Sequence, residues 1–244
     1  MKLDLLALGA HPDDVELSAG GTLAKLVDQG YAVGIVDLTA GELGTRGTPE
    51  TRAAESAAAS AILGIATREN LGLPDGFFEN TEPFQRQVIE AIRHYRPEVV
   101  LLNAPEDRHP DHGRAAALGR DACWLSGLRR IETQRDGVLQ APWRPKKLLH
   151  YIQDRLLKPS LIVDITGYWP RKLAAIQAYG TQVFTSAQEA ATDPQTYISR
   201  PIYLQQLEAR ALEMGHAIGT DHGEGFISVE PLKVNDLLSL ATVL

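Results

Sequence analysis

The chain has one cysteine, Cys123, in 244 residues. An intrachain disulfide is therefore excluded, and so is a cysteine metal site of the C-x-x-C kind. Cys123 lies in an Ala/Leu-rich stretch that reads as helix, and its reading is a small buried residue rather than a nucleophile. Long apolar runs are also missing: no window approaches the ~20 residues of a membrane span. The N-terminus lacks the core of a signal peptide, because Asp4 and Asp13 interrupt it. Positive charge is scarce. Lys and Arg number 24 against 31 Asp and Glu, a net charge of -7, which argues against nucleic acid or an anionic membrane as the main partner. A local arginine pocket can still hold a small anion. No G-x-G-x-x-G follows the first apolar run, so Gly20-Gly21 is not a nucleotide signature and reads as tight strand-to-helix packing. Without internal repeats or a Pro-, Gly- or Ser-rich linker, the expectation is one domain over residues 1–244, cytoplasmic and long enough to bury a substantial core.

What is present is an alternation of short apolar runs and amphipathic stretches. Leu3–Gly9, Ala32–Leu38 and Glu98–Asn103 read as strands. Thr22–Gln29, a helix from Pro49 to about Leu63, Pro83–Tyr95 and Pro110–Leu125 read as helices, with Gly30, Gly64 and Pro97 as stops. Gly41–Pro49 and Asn70–Gly76 read as loops. This order predicts an α/β fold, a single-domain Rossmann-like parallel sheet with helices on both faces. The second half is less regular. Lys147–Ile152 and Leu161–Ile165 read as strands, 168–179 as helix, Tyr197–Gly215 as helix, and Glu224–Val229 as a late strand. Leu128–Trp143 and Thr181–Thr196 read as loops.

Two clusters carry the chemistry. Ala10-His11-Pro12-Asp13-Asp14-Val15-Glu16 follows the first strand, and Arg108-His109-Pro110-Asp111-His112 follows the strand at 98–103. In parallel sheets ligands sit at the carboxyl ends of strands, so fold logic places both clusters at one site. Imidazole with carboxylate suits a divalent metal, zinc above all. His11 and Asp14 in a tight turn can aim at one point while Asp13 points elsewhere, free to handle a proton. If His112 sits on the first helical turn, it completes a His/Asp/His set. His109 then lies beside the metal, able to donate a proton or stabilise an oxyanion. Asp111 either orients His109 or supports the site from behind.

These motifs resemble the LmbE-like, or PIG-L, family of zinc-dependent N-acetylglucosaminyl deacetylases. The loop from Thr39 to Gly47, Arg52 and Glu55, the run Leu71–Gly76 and the late Glu224-Gly225-Phe226 are similar to that family as well. Nearly the whole chain is covered, and the likeness is greatest to the branch that deacetylates N-acetylglucosaminyl-malate in bacillithiol synthesis. The resemblance implies zinc on His11, Asp14 and His112, Asp13 as general base, and His109 at the oxyanion. It implies Arg52 on an anionic group and Asp75 on sugar hydroxyls. On chemical grounds Arg108 is suited to grip a malate carboxylate, since a guanidinium binds carboxylate bidentately. The expected partner is a small N-acetylglucosamine (GlcNAc) conjugate, with no nucleic acid and no membrane. A homo-oligomer is compatible with the resemblance, and Fe²⁺ or Co²⁺ also suits a His/Asp/His set.

Plainer readings stand beside these. Arg52 is spaced for an i,i+3 salt bridge to Glu55, and Asp75, before Gly76, is suited to hold a turn. Glu42 and Arg46 either line the site or tie down their loop. Tyr179 and Tyr197 suit core packing, with Tyr197 also a candidate lid residue over the oxyanion or sugar. His216 and His222 read as loop histidines, of which His222 is a candidate to approach the site. Alternative functions are deacetylation of a chitobiose-like or inositol-linked sugar, and a non-catalytic nucleotide or sugar-phosphate binding module.

Overall fold

The computed structural model describes residues 1–184 and 194–238. Its elements are β1 (Leu5–Gly9), α1 (Asp14–Asp28), β2 (Val33–Asp37), α2 (Pro49–Leu63), β3 (Thr67–Asn70), α3 (Glu82–Tyr95), β4 (Val99–Leu102) and α4 (Pro110–Leu125). A small hairpin, β5 (Gln134–Arg135) and β6 (Val138–Leu139), comes next. β7 (Lys147–Tyr151), β8 (Leu161–Asp164), α5 (Trp169–Gln177), α6 (Pro201–Ile218) and β9 (Gly223–Ser228) complete the described chain. One seven-stranded sheet runs in the order β3-β2-β1-β4-β7-β9-β8. It is parallel from β3 through β7, and β9 is antiparallel to both of its neighbours.

Side chains alternate across β1 and so feed two cores. Leu6 and Leu8 pack with Val88 and Ile92 of α3 and Leu118 and Ala122 of α4. Leu5 and Ala7 pack with Val15, Ala19 and Leu23 of α1. Each such large apolar side chain contributes about 1.5–3 kcal/mol when removed from water. The site is positioned by topology. From β1 the chain moves outward to β2 and β3, then returns to β4 on the other side of β1. The strand order reverses there, and a crevice opens beyond the carboxyl ends of β1 and β4.

Several sequence expectations are corrected. α1 begins at Asp14 rather than Thr22, so Gly20 and Gly21 lie inside the helix. They look like a helix entry because glycine is costly mid-helix. Here they permit close approach: a Cβ on Gly21 would come within 2.7 Å of Ile165 Cδ1. β3 was not foreseen, because Thr-Arg-Glu-Asn has no apolar pattern; Arg68 instead ties this edge strand to Asp37 (2.7 Å) and Glu16 (2.5 Å). The loop expected over 128–143 contains the β5–β6 hairpin, turned by Asp136 and Gly137 at φ 53 and 76, the conformation that an Asp-Gly turn supplies. α6 starts at Pro201, where proline's fixed φ suits the first helical position, and not at Tyr197. It runs past Gly215 to Ile218 and ends on Gly219 at φ 76. Part of the segment expected as loop over 181–196, residues 185–193, lies outside the described residues. Cys123 is buried. No helix among the described residues is long and apolar enough to cross a membrane.

Candidate active site

The turn after β1 carries the first cluster. Asp13 caps α1 at φ 116, a region that a non-glycine residue enters at a cost of about 1–3 kcal/mol and that clusters at functional sites. The strained residue divides its neighbours. Asp14 turns back, its Oδ2 accepting the His11 backbone N–H (3.0 Å) and lying 3.7 Å from His11 Nδ1. Asp13 instead faces Arg52, whose Nη2 is 3.5 Å from Asp13 Oδ2 and donates to the Pro12 carbonyl at 2.7 Å. Gly41 makes room for that guanidinium, since a Cβ there would lie 1.7 Å from Arg52 Nη1.

The second cluster opens α4. His109 is its N-cap and Pro110 its first residue. His112, on the first turn, places Nε2 at 3.0 Å from Asp14 Oδ1. The rings of His11, His109 and His112 lie 4.7–5.7 Å apart, centre to centre. Two strand ends thus converge. Among the described residues, two groups bring three potential ligand atoms within 4.8 Å of one another: His11, His109 and His112, and His11, Asp75 and Asp111.

The donor set fits a divalent metal. His11 Nδ1 and His112 Nε2 both face Asp14, and the far nitrogen of each ring is held by another carboxylate. His11 Nε2 meets Asp75 Oδ1 at 2.9 Å and Asp111 Oδ2 at 3.4 Å, and His112 Nδ1 meets Asp107 Oδ2 at 2.5 Å. A carboxylate behind a ligating histidine fixes its tautomer and raises its basicity. Two imidazole nitrogens and one carboxylate oxygen are a zinc-type set that Fe²⁺ or Co²⁺ also accepts.

Electrostatics agree with this fit. Burial opposes charge on His11, but hydrogen bonds to Asp111 and Asp75 and the Asp14 charge outweigh it and raise its pKa to about 10. Burial likewise opposes charge on His112, and Asp14 and Asp107 bring it to about 9. Without a metal, these two imidazoles hold the protons that balance the surrounding carboxylates; metal binding displaces such protons. Burial would raise Asp14, but the charges and hydrogen bonds of His112 and His11 keep it well below the usual carboxylate range. Asp13 goes the other way. Burial pushes it up, Arg52 pulls against that, Asp14 adds to it, and it settles at about 7. His109 is lowered by burial and by the charges of His11 and His112. Its Nδ1 accepts the Asp111 backbone N–H at 3.3 Å, so the neutral ring carries its proton on Nε2.

The other residues singled out in the sequence divide. Arg52 does not pair with Glu55; Glu55 accepts from the Thr181 N–H and hydroxyl at 2.6 and 2.8 Å. Asp75 spends one oxygen on His11 and the other on the Leu43 N–H (2.9 Å). Glu42 in turn accepts the Asp75 N–H (2.8 Å). Arg46 ties its loop to the carbonyls of Thr181 (2.7 Å) and Pro194 (3.3 Å). The Asp111 carboxylate does not orient His109. It backs His11 and is held by the Gly76 N–H and Arg114, at 2.8 and 2.9 Å. Arg108 lines the cavity mouth, 3.5 Å from Asp154 and 4.3 Å above the Tyr197 ring. Tyr179 is buried and donates to Glu16 (3.0 Å). His222 stacks on Trp169 at 5.3 Å and does not line the cavity. His216 is exposed on α6.

Sequence reasoning missed Asn103, Asp107, Gln153 and Tyr203. Asn103 and Gln153 each donate to Asp14 at 3.0 Å. Both stand at the carboxyl ends of adjacent strands, β4 and β7, and the strand-end rule applied to amides as well as to His and Asp would have found them. Tyr203 lines the cavity, where burial and the Asp13 charge push its phenol up.

Comparison with known proteins agrees with this geometry. A family model described as PIG-L, GlcNAc-PI de-N-acetylase, matches residues 6–123. The crystal structure of the conserved protein TT1542 from Thermus thermophilus is 36% identical, with a TM-score of 0.84 over 96% of this chain and 98% of that one. The diacetylchitobiose deacetylase of Thermococcus kodakarensis is 29% identical over 188 residues, 73% of this chain and 69% of that protein. A 4-oxalmesaconate hydratase of Pseudomonas putida is also 29% identical, over 72% of this chain and 73% of its own length. The matched segment contains both His/Asp clusters and the helices that present them, and the chain belongs to the PIG-L de-N-acetylase family.

Proposed function

We propose that this protein hydrolyses the N-acetyl amide of a GlcNAc conjugate, with N-acetylglucosaminyl-malate as the substrate that its mouth suits best. One observation carries the reading: buried Asp13, held near neutral proton affinity, stands beside two imidazoles that face a shared carboxylate and are each backed by another. His11, Asp14 and His112 would hold a divalent metal, zinc by its donor set. When bound, such an ion lowers the pKa of water and polarises the acetyl carbonyl.

The chain's own groups supply the rest. Asp13 receives the proton of the attacking water and returns it to the departing amine nitrogen, for which an acid near pKa 7 is suited. Arg52 fixes the Asp13 carboxylate in that role. His109 offers its Nε2 proton to the oxygen that becomes negative as the carbonyl carbon turns tetrahedral. Asp75 and Asp107 hold His11 and His112 in register. At the mouth, Arg108 keeps guanidinium N–H groups without another protein partner among the described residues, which suits one carboxylate of a malate aglycone.

The test is acetate release from N-acetylglucosaminyl-malate, diacetylchitobiose and an inositol-linked GlcNAc, with and without chelator. Release that chelator abolishes and zinc restores, strongest for the malate conjugate, is the expected result. Release from the other sugars alone rejects the malate aglycone. No acetate from any of them rejects the deacetylase reading, and the hydratase relative then directs attention to water addition across a double bond. A separate readout addresses the support of the ligands. Asp107→Asn is expected to weaken metal binding about 10–100-fold, measured by competition with a chromogenic chelator; wild-type affinity would remove Asp107 from this role.

A further inference from the structure

The cavity that opens on His11 and Asp14 holds about 400 Å³ and continues past them along α1, where Leu17 and Ser18 line it one turn beyond Asp14. The facing wall is α6. Tyr203, Leu207, Ala211 and Met214 line it at spacings that share one helix face, over a length of about 16 Å at 1.5 Å per residue. Tyr203 is the end near Asp13, and Met214 is the end near β9. Ile152 lines the cavity at the Met214 end, where both side chains face Gly225.

The far end closes on charges that are already matched. Glu224 accepts the Gly21 and Thr22 N–H groups at 2.9 and 2.7 Å and the Lys172 ammonium at 2.7 Å. Arg210 shares the α6 wall, but its guanidinium is spent on the Gln153 carbonyl and on Asp154, so a hydroxylated ring or a carboxylate drawn into this channel would give up water for Leu, Ile, Ala and Met side chains, which is costly. The mouth is polar by contrast, with Thr45, Arg108 and Thr196. In an N-acylated amino sugar, the apolar part is the acyl chain.

We propose that the channel between α1 and α6 is an acyl-chain pocket, so that the protein cleaves linear N-acyl groups of about four to six carbons as well as acetyl, with the sugar held at the mouth. This rests on the N-acyl hydrolase reading above. The reaction is the same for any chain length. The water oxygen bonds to the acyl carbon, the C–N bond breaks, the water proton goes to the amine, and the products are a carboxylate and a free amino sugar.

The experiment compares glucosaminyl-malate bearing N-acetyl, N-propionyl, N-butyryl and N-hexanoyl groups, with metal-loaded protein and free amine as the readout. Each methylene buried in an apolar channel is worth about fourfold, so kcat/KM for butyryl, two methylenes longer, should exceed that for acetyl about sixteenfold. Leu207→Trp, which narrows the channel, should lower the butyryl-to-acetyl ratio at least tenfold. Met214→Trp, deeper in, should reduce hexanoyl turnover more than butyryl turnover. Acetyl cleavage with butyryl at a tenth of it or less overturns the channel and leaves the deacetylase reading intact. A butyryl preference that neither tryptophan variant moves, in protein that melts cooperatively, also overturns the channel. Failure to cleave any of the four amides overturns both.

Discussion

Asp13→Asn is expected to keep its metal and to lose about 10²–10⁴ in kcat, the usual worth of a positioned base, whereas His11→Ala and His112→Ala lose metal and activity together. Asparagine preserves the shape of the side chain and tolerates a positive φ better than alanine would, so the strained turn at φ 116 survives the change. What disappears is the proton acceptor. The three variants are compared by metal content after dialysis and by turnover under saturating zinc. Asp14→Ala and His109→Ala complete the set, because three imidazoles lie close enough to compete with the His/Asp/His arrangement. Metal retained in His109→Ala and lost in Asp14→Ala supports His11, Asp14 and His112 as ligands. The reverse pattern makes the three imidazoles the ligand set and leaves Asp14 as their support. Loss of metal from Asp13→Asn would show that the base and ligand roles of the two adjacent carboxylates are exchanged.

The sequence was legible where local chemistry and topology pointed the same way. β1 and β4 are short apolar runs, the His/Asp clusters follow each of them, and ligands of parallel sheets sit at the carboxyl ends of strands, so convergence of the clusters could be read before any coordinate; that the strand order reverses between β1 and β4 is what the structure adds. Pro110 announced the start of α4, and His112 on its first turn followed from that. Polar elements were less legible. β3 owes its place to the pairing of Arg68 with Asp37 and Glu16, residues far apart in sequence. Asp75 was legible only as a turn residue or a sugar contact. That it backs His11 depends on the 70–78 loop folding over the β1 turn, which no spacing within that loop encodes. The Gly20-Gly21 pair misled for a related reason: its glycines answer to Ile165, Lys172 and Glu224, on segments more than a hundred residues later.

That last contact yields the second large effect. Lys172 and Glu224 are 3% and 2% exposed in their side chains and 2.7 Å apart. Lys172→Met would leave the Glu224 carboxylate buried against two backbone N–H groups with no counter-charge, and breaking such a pair costs about 3–5 kcal/mol. For a chain of this length each kcal/mol moves Tm by about 2–4 °C, so a fall of roughly 10 °C is expected by calorimetry. The double variant Lys172→Met/Glu224→Gln removes the charge yet keeps an amide oxygen for Gly21 or Thr22, and it should recover most of the loss. A single variant within a degree of wild type would mean that Glu224 is relieved by water or a proton, and that the pair does not secure α1. If the pair does secure it, the effect reaches the site. Glu224 grips α1 through Gly21 and Thr22, and the same helix carries Asp14 at its first residue. Lys172→Met should then bind metal more weakly than the double variant, because a helix released at its middle no longer fixes the carboxylate at its start.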